Sequence, residues 1–218
     1  MTKAIFFDWD GTLVDSLPML FRAHNHVRDH LGHPLWTRDE YAQAIVYSSK
    51  ELYPRLYGER AEEARNVLMN FIRENHLKEL NVLEGAAEML EELSGRGVIM
   101  GIVSNKTHEF LGIEVKHLGW DKYFGVIHGS GQAAKDKPAG DPLLHALLHH
   151  PAKPDIKDTL YVGDMESDLS CGKEAGCPVA FIRGTARTDE LIAQYKPAYI
   201  VDNLTQLKET LIDFVSKP

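Results

Sequence analysis

Short apolar runs alternate with helical patterns along most of the chain. The runs that have the length and β-branched content of buried strands are residues 4–7, 98–103, 125–128, 159–162, 178–182 and 198–201. Between most of them, apolar residues recur at helical spacing, over residues 86–95, 107–118, 142–149 and 168–175. This alternation predicts βαβ units with right-handed crossovers, and therefore an α/β fold around a parallel sheet.

The segment of residues 17–80 departs from this alternation. It shows helical periodicity throughout, and Pro34, Pro54 and Gly58 punctuate it. A segment of this length is too long for one crossover helix. We therefore predict a helical domain over residues 17–80, inserted after the first strand into a sheet domain formed by residues 1–16 and 81–218.

Composition and charge narrow the class of protein. Of the 218 residues, 44% are hydrophobic and 26% are charged, which is typical of a water-soluble globular protein. The net charge of −8 argues against nucleic acid or an anionic membrane as the main partner. We predict a cytoplasmic protein, because the chain has only two cysteines, no room for a signal peptide before the first strand and no long apolar segment. A monomer and a homodimer both remain open.

Two carboxylates follow the first predicted strand. Asp8 and Asp10 come directly after the apolar run, and Gly11 and Thr12 follow them. In an open α/β sheet, ligands bind at the carboxyl ends of the strands. Two acids this close repel each other unless a cation or a shared proton joins them. The motif therefore indicates a metal, an anionic ligand or both, with one acid attacking and the other handling protons.

Polar clusters also follow the next two predicted strands. Ser104 and Asn105 can hydrogen-bond a phosphoryl oxygen, although Ser104 also suits the N-cap of the next helix. After the third strand, either Lys135 or Lys137 can balance the charge of clustered carboxylates. Pro138 fixes the backbone beside Lys137, which makes Lys137 the better candidate.

Two acids follow the fourth predicted strand. Asp164 lies just beyond a buried strand and a glycine, where a metal ligand is the best interpretation. Asp168 either belongs to the same site or is a favourable charge in the first turn of a helix. The histidines at 145, 149 and 150 are better explained as a solvated helix face than as a metal site.

Taken in order, these clusters resemble the four motifs of the haloacid dehalogenase-like (HAD) hydrolase superfamily. More narrowly, the chain is similar to its phosphoglycolate phosphatase-like branch with a helical cap. The matching residues are Asp8 to Ser16, Ser104-Asn105, Lys137-Pro138, and Gly163-Asp164 with Asp168. The resemblance implies a Rossmann-like parallel sheet core with an inserted α-helical cap domain.

The resemblance also implies catalytic and metal-binding roles. Asp8 is expected to be the nucleophile that forms an aspartyl-phosphate, and Asp10 to protonate the leaving alcohol and then activate water. Mg²⁺ is expected to bind a side-chain oxygen of Asp8, the backbone carbonyl of Asp10 and the carboxylate of Asp164. Asp168 is expected to order this metal site from outside.

Substrate-binding residues follow from the same resemblance. In the core these are Gly11, Thr12, Ser104, Asn105 and Lys137, which are expected to hold the phosphoryl oxygens.

In the cap, Lys50 is expected to reach the part of the substrate beyond the phosphate, with a solvated surface lysine as the alternative. Tyr47 suits either the substrate site or the core of the cap. His24 and His26 are expected to have structural or solvent-facing roles.

The predicted function is a Mg²⁺-dependent phosphatase that acts on a small phosphorylated metabolite. A phosphomutase of the β-phosphoglucomutase type keeps both acids and is the nearest enzymatic alternative. A non-catalytic HAD-like phosphate-binding protein is the alternative from another class. Asp10 argues against dehalogenation and against phosphonoacetaldehyde cleavage, because those branches lack the second acid. Phosphoglycolate, a nucleoside monophosphate, a sugar phosphate and pyrophosphate all remain open as substrates.

Overall fold

The computed structural model describes residues 3–184 and 188–217. Residues 1, 2, 185–187 and 218 of the predicted sheet domain lie outside the described part of the chain. The strands are β1 (Ala4–Phe7), β2 (Val14–Asp15), β3 (Asn81–Val82), β4 (Ile99–Thr107), β5 (Val126–Ser130), β6 (Thr159–Gly163), β7 (Val179–Ile182) and β8 (Tyr199–Val201).

Strands β1 and β4 to β8 form a parallel sheet in the order β5-β4-β1-β6-β7-β8. Strand β1 lies inside the sheet because all four of its residues are apolar and fully buried, as a strand covered on both faces requires. Phe7 pairs with Ile102 of β4 and Val162 of β6. The α/β fold expected from the sequence is confirmed.

Helices cover both faces of this sheet. They are α5 (Ala86–Gly95), α6 (His108–His117), α7 (Asp141–His149), α8 (Glu166–Ala175), α9 (Thr188–Tyr195) and α10 (Leu204–Ser216). Ile5 and Phe7 point to one apolar layer and Ala4 and Phe6 to the other, since side chains alternate along a strand. Two hydrophobic cores therefore hold the sheet between its helices.

Four more helices lie between β2 and β3, and we call them the helical insert. They are α1 (Leu17–His30), α2 (Arg38–Ala44), α3 (Ser49–Tyr57) and α4 (Ala61–Asn75). Their apolar faces pack on one another in a separate cluster, which Phe110 of α6 joins from the sheet side. Strand β2 pairs antiparallel with β3, so the chain enters and leaves the insert through one two-stranded junction.

Two local expectations are wrong. Ser104 is not a helix N-cap: β4 runs irregularly on to Thr107, which is itself the residue before α6. Pro54 does not interrupt the insert but lies inside α3. A proline there leaves the Lys50 carbonyl without its helical partner. Because both residues are exposed, water can take that bond.

The three histidines at positions 145, 149 and 150 lie in two different surroundings. His145 and His149 stack on α7 with ring centroids 3.8 Å apart, whereas His150 turns towards the carbonyl of Met100. The three rings therefore do not form one cluster.

In the described ranges, every helix falls short of the length and apolar character needed to cross a membrane.

Candidate active site

The carboxyl ends of β1, β4 and β6 bring the predicted chemical groups to one edge of the sheet. The register aligns the ends of these strands, so the residues that follow them emerge side by side. Asp8 follows β1 and its N–H donates to the carbonyl of Val162, 2.8 Å away. Ser104 lies on the extension of β4, and Asp164 follows β6. The backbone register alone therefore gathers these side chains.

Lys137 lies at the centre of this edge, between two carboxylates. Its Nζ is 2.8 Å from Oδ1 of Asp8 and 2.7 Å from Oδ1 of Asp168. It also donates to the carbonyl of Val103 and to the hydroxyl of Tyr161. We call Lys137, Asp8 and Asp168 the Lys137 cluster. Lys135, the alternative lysine, is exposed in the preceding loop.

Asp8, Asp164 and Asp168 crowd carboxylate oxygens together. Within the chain that the structure describes, they form the one group of three possible metal ligands whose atoms all lie within 4.8 Å of one another. Burial, followed by the charge of Asp168, raises the pKa of Asp8 to about 7 and the pKa of Asp164 well above its usual range. One ammonium cannot neutralise three buried carboxylates, so this oxygen-only donor set fits a hard divalent cation such as Mg²⁺.

The hydrogen bonds divide the three acids by role. Asp168 accepts from Lys137 and Tyr161 on one oxygen and from the backbone N–H groups of Asp164 and Met165 on the other. In contrast, the contact found at the buried Oδ1 of Asp8 is the ion pair with Lys137, at 2.8 Å. Asp8 and Asp164 are therefore the carboxylates left to hold a metal, while Asp168 is fully engaged in holding its neighbours.

Gly11 and Thr12 position Asp164. Gly11 has φ +85°, and a Cβ built on it would lie 2.4 Å from Oδ2 of Asp164, so no other residue fits there. The hydroxyl of Thr12 is buried and donates to Oδ1 of Asp164 at 2.8 Å. What the structure shows for both residues is contact with Asp164. Their contact with a substrate stays a prediction.

Asp10 belongs to a second lysine-centred group. Nζ of Lys106 lies 2.6 Å from Oδ1 of Asp10 and 2.8 Å from Oε2 of Glu114. The hydroxyl of Ser16 also donates to Asp10. Burial lowers the pKa of Lys106, but the charges of Asp10 and Glu114 outweigh that effect and leave it above its usual value. We call Lys106, Asp10 and Glu114 the Lys106 cluster.

The Lys106 cluster links the sheet to the helical insert. Glu114 of α6 is fully buried and accepts a hydrogen bond of 2.7 Å from Nε1 of Trp9. Its other oxygen lies 2.9 Å from Nδ1 of His76, the residue that follows α4. This group was not predicted from the sequence. A signal was available, because Glu114 falls among the apolar positions of the buried face of α6, where a carboxylate needs a partner.

Ser104 and Asn105 complete the sheet side of the site. Asn105 donates to the backbone carbonyl of Lys137 at 2.9 Å, while its buried Oδ1 has no partner. Ser104 accepts a hydrogen bond from the N–H of Lys106, which leaves the hydroxyl proton of Ser104 free for another acceptor. Both residues line the cavity described next.

A cavity of about 120 Å³ lies between the sheet edge and the helical insert. Its sheet side is formed by Asp8, Asp10, Ser104, Asn105, Lys106 and Lys137. Its apolar side is mainly the insert, with Leu17, Leu20, Tyr41, Ile45, Tyr47, Leu68, Met69, Ile72 and also Phe110 of α6. The cavity thus joins a charged wall to an apolar wall.

The residues singled out in the insert occupy different places. Tyr47 and His24 line the cavity, and burial lowers the pKa of His24 to about 4. His26 packs against Phe71, with ring centroids 5.2 Å apart. Lys50 is exposed and is not among the residues that line the cavity. Its contact with a substrate therefore stays a prediction.

One polar contact ties the insert to the loop of Lys137. The buried hydroxyl of Ser48, just before α3, donates to Oδ2 of Asp136 at 2.6 Å. Asp136 also accepts from the hydroxyl of Ser130 and the N–H of Gly131. Since Asp136 precedes Lys137, this contact joins the apolar wall directly to the charged one.

Known proteins share this sequence pattern and fold. The family model of haloacid dehalogenase-like hydrolases matches residues 5–182. The pyrophosphatase PpaX of Bacillus mycoides is 27% identical over 205 residues, which cover 94% of each chain.

Among solved structures, a predicted phosphoglycolate phosphatase from Haemophilus somnus has a TM-score of 0.80 at 23% identity and covers 96% of this chain and 98% of its own. CbbY from Rhodobacter sphaeroides, solved with xylulose-(1,5)-bisphosphate, has a TM-score of 0.79 at 21% identity and covers 93% and 95%. These two likenesses show the fold. The family match over most of its length establishes that the chain belongs to the haloacid dehalogenase-like hydrolase family.

Proposed function

We propose that the chain is a Mg²⁺-dependent phosphatase that hydrolyses a small phosphorylated metabolite through an aspartyl-phosphate on Asp8. The observation that carries the proposal is the meeting of Asp8, Asp10 and Lys137 in the lining of one cavity, with a carboxylate oxygen of Asp164 within 4.8 Å of one of Asp8. In this proposal residues 17–80 form a cap domain over the sheet domain of residues 1–16 and 81–218.

Phosphoryl transfer depends mainly on positioning and on neutralising oxygen charge. The Asp8 carboxylate is the nucleophile that lines the cavity, and Lys137 beside it offsets the repulsion between this carboxylate and a phosphate. Ser104 can donate its free hydroxyl proton to a phosphoryl oxygen. Mg²⁺ held by Asp8, the backbone carbonyl of Asp10 and Asp164 would supply further neutralisation.

Asp10 handles the protons in this proposal. Its carboxylate is held by Lys106 and Ser16 at the cavity, apart from the crowded oxygens of Asp8 and Asp164. From there its protonated form gives a proton to the leaving alcohol oxygen, and the carboxylate that results later removes a proton from the water that hydrolyses the aspartyl-phosphate. The insert covers this chemistry and excludes bulk water, which would otherwise weaken every charged contact.

The test is release of inorganic phosphate from small phosphate esters, with Mg²⁺ and with the metal removed by a chelator. We expect Asp8→Asn to lower turnover by about 10⁴-fold or more, because no nucleophile remains. We expect Asp10→Asn to lower it by about 10²–10⁴-fold while Mg²⁺ binding persists. Asp15→Asn is the matched control, since Asp15 lies in the same motif but is exposed.

Two results would overturn the assignment. One is an Asp8→Asn variant with a near-normal rate, and the other is a full rate without any divalent metal. Isomerisation of a sugar phosphate, followed by ³¹P NMR, would instead indicate the mutase alternative.

Some sequence expectations go beyond what this proposal needs. Cytoplasmic location, a monomeric or homodimeric state and the absence of nucleic-acid and membrane partners stay predictions of the sequence. Both cysteines are buried free thiols.

A further inference from the structure

We infer that the leaving group of the substrate, which is the part that remains after the phosphate is removed, is small, uncharged and largely apolar. It does not carry a second phosphate or a carboxylate. This inference rests on the proposed phosphatase function and adds the substrate class. It comes from the charge balance of the two cavity walls.

On the charged wall, both lysines are already paired with carboxylates. Lys137 lies between Asp8 and Asp168, and its contact distances are 2.8 and 2.7 Å. Lys106 lies between Asp10 and Glu114, at 2.6 and 2.8 Å. Each ammonium already faces two buried carboxylates. A divalent cation would offset only part of this excess negative charge, so no lysine is left to pair with an anion beyond the transferred phosphoryl group.

On the apolar wall, no cation compensates for this. Among the described residues that line the cavity, the insert contributes aliphatic and aromatic side chains, two serines and His24. Burial lowers the pKa of His24 to about 4, so its imidazole is neutral near pH 7. Arg55 lies over the ring of Tyr47, 4.2 Å from its centroid, but is itself exposed and outside the lining.

A negatively charged leaving group would therefore be buried against apolar surface without a partner. Such burial is strongly unfavourable for a carboxylate or a phosphate, whereas an alkyl group gains from the same surface. Size adds a second limit. The cavity of about 120 Å³ is partly open to solvent and must also hold the phosphoryl group, which favours a small leaving group.

This conclusion separates the chain from proteins that it resembles. The relative from Bacillus mycoides is named a pyrophosphatase, and CbbY was solved with a bisphosphate. Both names involve an anion beyond the transferred phosphoryl group. The identity to each is low, and the walls described here favour a different class of substrate.

The decisive experiment compares two esters of the same shape. Isobutyl phosphate and phosphoglycolate differ mainly in that a neutral isopropyl group replaces a carboxylate. We expect kcat/KM to be at least about 10²-fold higher for isobutyl phosphate, because the buried carboxylate finds no partner. Equal or higher kcat/KM for phosphoglycolate, or for pyrophosphate, would overturn the inference.

A binding measurement separates this failure from failure of the proposed function. Calorimetry with Mg²⁺ compares 3-methylbutylphosphonate with 3-phosphonopropionate, which mimic the two esters and cannot be hydrolysed at the bridging position. If no ester is hydrolysed but 3-methylbutylphosphonate, whose alkyl group is uncharged, binds more tightly, the phosphatase proposal fails and the cavity preference stands. If the carboxylate compound binds equally or more tightly, the preference itself is wrong.

A charge placed in the apolar wall provides the matched test. We expect Met69→Lys to raise kcat/KM for phosphoglycolate by about 10-fold and to lower it for isobutyl phosphate, since the new ammonium pairs with the carboxylate. Ile45→Arg, at the residue that follows α2, is the second variant if Met69→Lys does not fold. Asn66→Lys is the control, because Asn66 is exposed on the same helix α4. A preference that follows Asn66→Lys as strongly as Met69→Lys would contradict the inference.

Discussion

On the sheet side of the cavity, each lysine lies between two acids, whereas the insert side presents alkyl groups, aromatic rings and a neutral imidazole. The charged wall is built from residues that follow strands, so the sheet register places them. The apolar wall is built mainly from helices that pack on one another. In the proposed function, the charged wall carries out phosphoryl transfer, and the apolar wall selects the substrate.

The largest effect in this comparison is expected at the centre of the charged wall. Lys137→Met leaves Asp8 and Asp168 buried without their shared counter-ion. We expect turnover to fall by about 10²–10³-fold and the free energy of unfolding to fall by about 3–5 kcal/mol. Steady-state kinetics and urea unfolding measure the two quantities.

Lys135→Met is the control for this variant, because Lys135 is exposed two residues earlier in the same loop. If both lysine variants behave alike, the Lys137 cluster does not organise the site.

The Lys106 cluster is expected to affect proton handling, and less strongly. Lys106→Met removes the ammonium that holds Asp10, and we expect kcat to fall by about 10–10²-fold with a smaller change in KM. It also leaves Glu114 without its charge partner, which costs about 3 kcal/mol of stability.

The double variant Lys106→Met/Glu114→Gln separates the two effects. It removes both charges of the buried pair, so we expect stability to recover while kcat stays low. Recovery of kcat together with stability would show that Lys106 acts only on the fold.

The neutral imidazole of the apolar wall gives a pH-dependent prediction. The pKa of His24 is about 4 in the folded protein and about 6.5 when unfolded, so the unfolded state binds the proton first as pH falls. Stability is therefore expected to drop between pH 7 and pH 4, with a contribution from His24 of about 2 kcal/mol at pH 5. Urea unfolding at several pH values measures this slope.

His24→Gln is expected to flatten the slope, and His26→Gln, on the exposed side of the same helix, is expected to leave it unchanged. Equal slopes in the two variants would mean that His24 is not kept neutral by burial.

The smallest effect is expected where the two walls meet. Ser48→Ala removes the hydrogen bond to Asp136, and we expect a loss of about 1 kcal/mol in stability and a several-fold rise in KM. Ser48→Thr keeps a hydroxyl and is expected to restore most of the KM. A KM that does not change in Ser48→Ala would indicate that this contact does not help to close the insert.

The charged wall was largely predictable from the sequence, and the apolar wall was not. Asp8, Ser104 and Asp164 follow apolar runs, and parallel strands bring their carboxyl ends to one edge. Lys106 was not predicted as a site residue, because its partner Glu114 lies on a helix whose rotation about its axis is set by packing. The contact of the Thr12 hydroxyl with Asp164, which follows the left-handed turn at Gly11, was not predicted from the sequence either. Local sequence does not specify such side-chain directions.

The two-stranded junction at the base of the insert brings together the two ends of the segment that forms most of the apolar wall. Asp15 and Asn81 are direct partners across β2 and β3, so their Cα atoms lie only about 5 Å apart. A short turn is enough to join two such positions. In the proposed function, the segment that selects the substrate thus enters and leaves the chain path at one place, and the residues of the charged wall lie outside it.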